Sequence, residues 1–132
     1  MTLQEYFEEV IESRINSYRW DMLNNTLFIS LILLENGVTS EYQLEFRNVS
    51  CLYFANDTSK NRTIVVSPDE GDYLELTSIH LLTDETDINL YSETDKWLCQ
   101  FNGKGNIVLE IWNKLLVIEC SQVLVDGKIY NL

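Results

Sequence analysis

Hydrophobic residues recur every three or four positions along the first part of the chain, from Leu3 to Tyr18. This spacing puts them on one face of an amphipathic helix. Thr2 and Glu5 stand three residues apart at its start, as in a capping box, where each side chain satisfies a free backbone N–H. The hydrophobic pattern changes after Ser17, so we predict one helix over about residues 2–17.

From Tyr18 onward the hydrophobic period is two, as in β-strands. Tyr42, Leu44 and Phe46 alternate with charged and amide residues, which predicts a strand with one buried face. The segment from Thr26 to Leu34 is apolar on both faces instead. Such a pattern is typical of a strand that lies inside a sheet and is covered on both sides.

The other β segments are short and separated by turn-forming residues. Asp126-Gly127 is a favoured dipeptide for a tight hairpin. Asp84 to Asp87 is predicted to turn the chain, and Asn102 to Asn106 to connect two strands flexibly. A short strand is predicted at Ile64 to Ser67. No helical pattern returns between these segments, which argues against a parallel α/β sheet.

The whole pattern predicts a mainly β (α+β) fold, an antiparallel β-sandwich or open barrel of about nine strands with one N-terminal helix. The length of 132 residues is typical of one domain, and no linker interrupts it. We therefore expect residues 1–132 to form a single domain, with antiparallel β structure over 18–132. A content of 45% hydrophobic and 11% aromatic residues excludes intrinsic disorder.

The charge is strongly negative, with 21 Asp and Glu against 9 Lys and Arg, a formal −12. This charge repels phosphate backbones and anionic lipid, so we expect neither nucleic acid nor membrane as a partner. It attracts a basic protein, although the alternative is that it only keeps the chain soluble. Two acidic clusters are the candidate partner-binding residues: Asp69, Glu70 and Asp72, and Asp84, Glu85 and Asp87.

The three cysteines, Cys51, Cys99 and Cys120, lie far apart, each in an apolar segment. They form no C-x-x-C pair, so the sequence offers no zinc knuckle and no thioredoxin-type motif. We expect reduced, mostly buried thiols. The chain starts with acidic residues where a secretion signal needs basic ones, and its longest apolar run is too short to cross a bilayer. These features predict a cytoplasmic protein.

No catalytic, metal or cofactor site is expected. His80 is the only histidine, so it is the only base for a Ser-His or Cys-His nucleophile, and no nucleophile turn accompanies it. The acidic run from Asp69 to Glu75 lacks the spacing of a calcium-binding loop. Phosphate-binding glycine motifs are also missing. We therefore predict that the protein is not an enzyme.

The middle and C-terminal parts of the chain have a familiar pattern. It comprises Phe46-Arg47-Asn48-Val49 and the strand-like segments Ile107 to Trp112, Leu116 to Cys120 and Val123 to Lys128. In these segments the chain resembles small Firmicute proteins of the YxiG-like kind. Some of those proteins are encoded near polymorphic toxins, so the resemblance implies an immunity role. It implies no functional residue.

Two functional hypotheses follow. In the first, the chain is a protein-binding module, and specifically an immunity protein that neutralises a basic toxin steered in by the acidic surface. In the second, it is a small-molecule-binding barrel or sandwich without catalytic activity. There, Trp20, Trp97 and Trp112 would line a pocket. The acidic clusters matter only in the first hypothesis, and the tryptophans matter chiefly in the second.

Overall fold

A computed structural model describes residues 1–64 and 66–132 as one helix followed by nine antiparallel strands. A 3-10 helix, Lys96–Phe101, stands between the fifth and sixth strands. The bounds are α1 (Leu3–Glu9), β1 (Ser13–Asp21), β2 (Thr26–Glu35), β3 (Val38–Arg47), β4 (Cys51–Asn56), β5 (Leu74–Ile88), β6 (Gly103–Ile111), β7 (Lys114–Glu119), β8 (Gln122–Val125) and β9 (Lys128–Asn131).

All nine strands belong to one sheet, in the order β4-β7-β6-β5-β1-β2-β3-β8-β9. The sheet is not closed, so β4 and β9 are its two free edges. The predicted class, mainly β with about nine antiparallel strands and one N-terminal helix, is confirmed. Of the strand predicted at Ile64 to Ser67, Val65 lies outside the described residues, and the other three residues are not in a strand.

The helix begins as predicted. The Glu5 N–H donates to Thr2 Oγ1 at 3.2 Å and the Thr2 N–H donates to Glu5 Oε2 at 3.2 Å, so both halves of the capping box are present. Leu3 and Phe7 are its buried residues. No helix in the described ranges has both the length and the apolar content that crossing a membrane requires.

The helix ends earlier than predicted, at Glu9 rather than at Ser17. Glu12 adopts a φ of 68°, which a helix cannot continue through, and β1 starts at the next residue. Residues 13–15 then pair with β5 over Ser13↔Leu76 to Ile15↔Leu74. The hydrophobic spacing at these positions suits a helix as well as a strand, and the tertiary pairing decides between them.

The core lies on one face of the sheet, together with α1. Leu31, Leu44 and Phe46 are fully or almost fully buried, and Phe7 of α1 belongs to the same hydrophobic cluster. The helix and the residues before it form hydrogen bonds with strands that lie far apart in the sheet order. Its Gln4 Oε1 accepts from the Leu81 N–H of β5 at 3.4 Å, its Glu9 Oε2 accepts from Tyr42 Oη of β3 at 3.3 Å, and the Met1 carbonyl just before it accepts from Tyr130 Oη of β9 at 2.8 Å. The sheet therefore curves around the helix.

Two segments predicted to be turns or flexible connections are strands. Asp84 to Asp87 belongs to β5, and Gly103 to Asn106 belongs to β6. A Cβ on Gly103 would lie 2.8 Å from Cys51 Cβ, and one on Gly105 would collide with Val117 Cγ1. These glycines serve close packing of β6 against β4 and β7, not flexibility.

The cysteines are not uniformly buried. Cys120 is buried, Cys51 is half-buried, and Cys99 is exposed on the 3-10 helix. The prediction of mostly buried thiols is therefore wrong for Cys99, whose apolar neighbours in sequence, Trp97 and Phe101, are themselves exposed. Burial raises the pKa of the Cys120 thiol to about 12.

Candidate functional site

A cleft of about 630 Å³ opens where β1 and β5 separate. These strands pair over only three residues, ending at Ile15↔Leu74. Beyond that pair, the residues before β5 and the turn between β6 and β7 form the other walls, so that Arg14, Tyr73 and Trp112 all line the cleft. We call this concavity the β1–β5 cleft.

Trp112 has the least expected backbone conformation in the cleft. It is the first residue of the two-residue turn that joins β6 to β7, and its φ is 54°. The left-handed region is disfavoured for residues with a Cβ, and it is unusual for a bulky side chain. The other non-glycine residues at positive φ in the described ranges are Asn, Asp and Glu. The side chain of Trp112 is 69% exposed, so core packing does not account for the conformation.

Hydrogen bonds on the β5 side hold this turn in place. The Trp112 N–H donates to the Glu75 carbonyl at 3.1 Å and to Thr77 Oγ1 at 3.2 Å. Thr77 lies where the register of β5 with β6 shifts, between Leu76 and Ser78. Such irregularities reorient a side chain, and here the one in β5 supplies a hydroxyl acceptor to the turn.

The β4 side also fixes the turn. The Asn113 carbonyl accepts from the Asp57 N–H at 2.9 Å, and Asn113 Nδ2 donates to Asp57 Oδ2 at 3.4 Å. Lys114 Nζ donates to Asn56 Oδ1 at 2.8 Å. The backbone of the turn is thus held from two sides while its indole ring stays in solvent, which presents the ring without a large ordering cost on binding.

The lining of the cleft also includes a cation and a second aromatic ring. The Arg14 guanidinium lies 4.9 Å from the centre of the exposed Tyr73 ring, within cation–π distance. Trp, Tyr and Arg are the residue types most enriched among the dominant contacts of protein interfaces. The β1–β5 cleft brings one of each together.

The first acidic cluster, Asp69, Glu70 and Asp72, lies beside this cleft. All three residues are exposed, and Asp72 lines the cleft itself. The Asp69 N–H donates to Asp72 Oδ2 at 2.7 Å, and Gly71 between them has a φ of 94°. This tight turn directs carboxylates to the rim of a cleft that also contains the Arg14 and Lys114 cations.

The second acidic cluster lies elsewhere. Asp84 and Glu85 occupy the register shift between Leu81 and Thr86, and Asp87 pairs with Lys104 in β6. All three acidic residues are exposed on the last third of β5, whereas the cleft lies at its first residue. The structure therefore does not bring the two clusters together. The prediction that the second one forms a turn is wrong, because β5 continues through it.

Most carboxylates on the described surface have no cationic partner. The ion pairs are Arg19–Asp21 at 3.6 Å and Arg47–Glu45 at 3.0 Å, and the chain has 21 acidic residues. Across residues 1–64 and 66–132, no group of three His, Cys, Asp or Glu side chains could hold a metal ion. His80 is exposed on β5.

The three tryptophans predicted to share a pocket are separated in the structure. Trp20 packs half-buried against the core, and Trp97 contacts Phe101 edge-to-face at 6.2 Å. Only Trp112 lines the β1–β5 cleft. The sequence pattern predicts Trp112 as the end of a strand, whereas the structure places it in the turn after β6. The sequence carries no signal that Trp112 adopts a positive φ.

A family model described as YxiG-like protein matches residues 3–130, nearly the whole chain. The chain belongs to the YxiG-like family. The resemblance seen in the strand patterns is thereby confirmed. No curated protein matches this YxiG-like chain.

Proposed function

We propose that this YxiG-like protein is a binding module that docks a basic polypeptide at the β1–β5 cleft. The observation that carries the proposal is the exposed Trp112 at positive φ, whose backbone N–H donates to oxygen acceptors of β5. A conformation of this kind costs of the order of 1–3 kcal/mol and is concentrated at functional sites. An exposed tryptophan that the fold does not bury is well suited to anchor a partner.

The charge distribution supports a basic partner. Exposed carboxylates cover much of the described surface and few of them are paired, so their field attracts cations from a distance. Asp69, Glu70 and Asp72 at the rim would then meet cationic side chains of the bound partner, while Trp112 and Tyr73 supply apolar contact area. Lys114 is hydrogen-bonded to Asn56 and Arg14 lies on Tyr73, and these neutral partners leave both positive charges in place. The three carboxylates at the rim outnumber the two cations, so the cleft and its rim together remain negative.

The specific form of this function that we propose is immunity, in which the chain neutralises a basic toxin. An acidic protein associates quickly with such a target, because electrostatic steering acts mainly on the encounter rate. The carboxylates beside the cleft would occupy a cationic site on the toxin. The support for this form is the charge of the chain and the chemistry of its cleft.

A second candidate is the binding of a small aromatic or apolar molecule. The volume of about 630 Å³ favours it, since ligand sites of this kind measure roughly 300–1,000 Å³. Trp112 and Tyr73 would stack on the ligand. This candidate predicts binding that depends on the two rings and is indifferent to the acidic clusters.

The test begins with capture of a partner from the native host on the immobilised chain, with Trp112→Ala as a parallel bait. We expect a basic polypeptide that the wild-type chain retains and the variant loses. Association and dissociation rates of that pair are then measured at several salt concentrations. A basic partner whose association rate does not fall with salt would contradict electrostatic steering.

Two matched triple variants distinguish contact from steering. Each removes three negative charges: Asp69→Asn with Glu70→Gln and Asp72→Asn at the cleft, and Asp84→Asn with Glu85→Gln and Asp87→Asn far from it. Both should slow association, because both remove charge that steers the encounter. Only the first should also hasten dissociation, because only carboxylates that pair directly with cationic side chains of the partner stabilise the bound complex. Equal dissociation rates for the two would place the partner outside the cleft. If Trp112→Ala binds the partner as tightly as the wild-type chain does, the partner also lies outside the cleft.

A further inference from the structure

One free edge of the sheet, β4, has an open side that no backbone group of residues 1–64 and 66–132 bonds. The strand pairs with β7 over six consecutive residues, from Cys51↔Glu119 to Asn56↔Lys114. Among the described residues, no hydrogen bond from elsewhere in the chain reaches its other side. Alternate residues of an edge strand direct their N–H and C=O groups outward, where another strand can bind them.

The composition of β4 does nothing to protect this edge. It contains no charged residue, no proline and no register shift, the features with which soluble proteins normally block edge pairing. Three consecutive large side chains are exposed on it, Leu52 at 36%, Tyr53 at 41% and Phe54 at 57%. The opposite edge, β9, is only four residues long and carries Lys128.

The charges around β4 favour a second copy of the same chain as its partner. In antiparallel pairing, the C-terminal end of one β4 lies beside the N-terminal end of the other. Lys60 and Arg62 follow the C-terminal end, both exposed, in a turn closed by the Arg62 N–H to the Thr58 carbonyl at 2.9 Å. Glu119 pairs with Cys51 at the N-terminal end. The Glu119 carboxylate accepts from Ser50 Oγ and the Lys104 N–H and so stays at this end of β4. The two cations outnumber Asp57, the carboxylate that also follows β4, so a net positive end approaches Glu119 of the other copy.

The same contact occurs twice, because a twofold axis repeats every interaction of an isologous interface. Two chains of formal charge −12 repel each other at long range, and pairing at β4, a strand that carries no charge, adds no like-charged contact to that repulsion. We propose that the protein forms a twofold symmetric dimer in which β4 pairs antiparallel with β4 of a second copy. The two sheets then continue into one sheet across the interface, and the β1–β5 cleft of each copy stays open.

Sedimentation equilibrium of the full chain, from micromolar to near-millimolar concentration, tests this dimer. We expect a concentration-dependent shift towards twice the chain mass of 15.4 kDa. Tyr53→Lys should raise the dimer Kd by roughly tenfold or more, because it puts two lysines close together near the twofold axis, and like charges that are neighbours across a strand pair are destabilising. The matched control is Ile129→Lys on β9, a residue 52% exposed on the other edge, which should leave the Kd unchanged.

Two further measurements keep the proposal testable if Tyr53→Lys does not fold. Amide hydrogen exchange of the wild-type chain should show protection within β4 that rises with concentration, with no such rise in β9. Replacing Lys60 and Arg62 with glutamine should raise the Kd, because it removes the two cations that approach the other copy. A chain that stays monomeric at every concentration overturns the proposal, as does a dimer whose Kd responds to Ile129→Lys instead of Tyr53→Lys.

Discussion

The strand pairs β2–β3 and β5–β6 are both long and antiparallel, but they are built differently. β2 and β3 pair without interruption from Leu27↔Phe46 to Glu35↔Val38. They turn at Asn36-Gly37, two residues that tolerate the positive φ found there. β5 and β6 pair across two register shifts, and their connection contains the 3-10 helix.

The comparison shows where this fold departs from regular pairing and what accompanies each departure. The first shift, at Thr77, supplies a hydrogen bond to the Trp112 turn and so helps to form the β1–β5 cleft. The second exposes Asp84 and Glu85. In β2–β3, local preference and tertiary structure agree, and no candidate site results. Proteins tend to break local rules where function requires it.

The largest expected effect tests the regular pair. Leu31→Ala in β2 removes a fully buried side chain and should lower the free energy of unfolding by about 2–5 kcal/mol. Gln43→Ala in β3 removes an exposed side chain and should change it by less than about 0.5 kcal/mol. Urea denaturation of both variants measures the difference. Similar costs would show that the assignment of inner and outer faces in β2–β3 is wrong.

The sequence predicts β2 only in part: it lies inside the sheet, but it is not covered on both sides, because Phe28 and Ile32 are half-buried and Leu34 is 72% exposed. It predicts β3 well, because the alternation and the burial of that strand indicate the same structure. Leu44 and Phe46 are buried and Gln43 is exposed, as the alternation requires. The prediction was less successful around β6. Gly103 and Gly105 were interpreted as flexible, whereas they pack closely on Cys51 and Val117, and only the tertiary structure reveals those neighbours.

The candidate site was predicted only in part. Asp69, Glu70 and Asp72 were found from their charge, which local composition reports directly. Trp112 was placed in a ligand pocket with two other tryptophans that lie elsewhere. Its positive φ depends on Glu75 and Thr77, which are far from it in sequence. Contacts between distant segments decide such features, and a single sequence does not show them.

The next-largest expected change in stability comes from a Gly→Ala substitution, made once in each of the two strand pairs. Gly105→Ala in β6 introduces a Cβ that collides with Val117, and it should cost about 1–3 kcal/mol through overpacking. Gly37→Ala in the β2–β3 turn meets no neighbour within 4 Å, but its φ is 76°, so it should cost about 1 kcal/mol through backbone strain.

Asparagine distinguishes the two causes. Gly37→Asn should recover most of the stability lost in Gly37→Ala, because asparagine tolerates a positive φ. Gly105→Asn should be at least as destabilising as Gly105→Ala, because it is larger. Thermal or urea denaturation of the four variants is sufficient. Recovery at residue 105 by asparagine would argue against close packing of β6 on β7.

Thiol reactivity probes the irregular pair without altering stability. Cys99, in the connection between β5 and β6, should react first with a thiol reagent because it is exposed. Cys51 should follow, and Cys120 should react last, since burial raises its pKa to about 12 and leaves little thiolate at neutral pH. Time-resolved titration with single Cys→Ser variants assigns each phase. A fast phase from Cys120 would contradict its burial in the core.

The smallest effect concerns the turn between β1 and β2. Hydrogen bonds from the Asn24 side chain and backbone, with a further contribution from Arg19, hold the pKa of the Asp21 carboxyl below its usual value. The resulting stabilisation is present above the pKa of the unfolded chain and is lost as pH falls through the lowered folded value. The unfolding free energies of Asp21→Asn and of the wild type should therefore converge as the pH is lowered through the acid range. If the difference between the two unfolding free energies does not change with pH, protonation of Asp21 is not its cause.

The unfolding free energies of Trp112→Gly and Trp112→Ala test the central claim, that Trp112 is retained at its turn for recognition and not for folding. Both variants lose the exposed ring but keep the backbone N–H, which donates to the Glu75 carbonyl and to Thr77 Oγ1. Only glycine also relieves the strain of the positive φ, so Trp112→Gly should be more stable than Trp112→Ala by about 1 kcal/mol, and at least as stable as the wild type. If both variants instead lose several kcal/mol, Trp112 supports the fold, and the argument for the cleft as a binding site is contradicted.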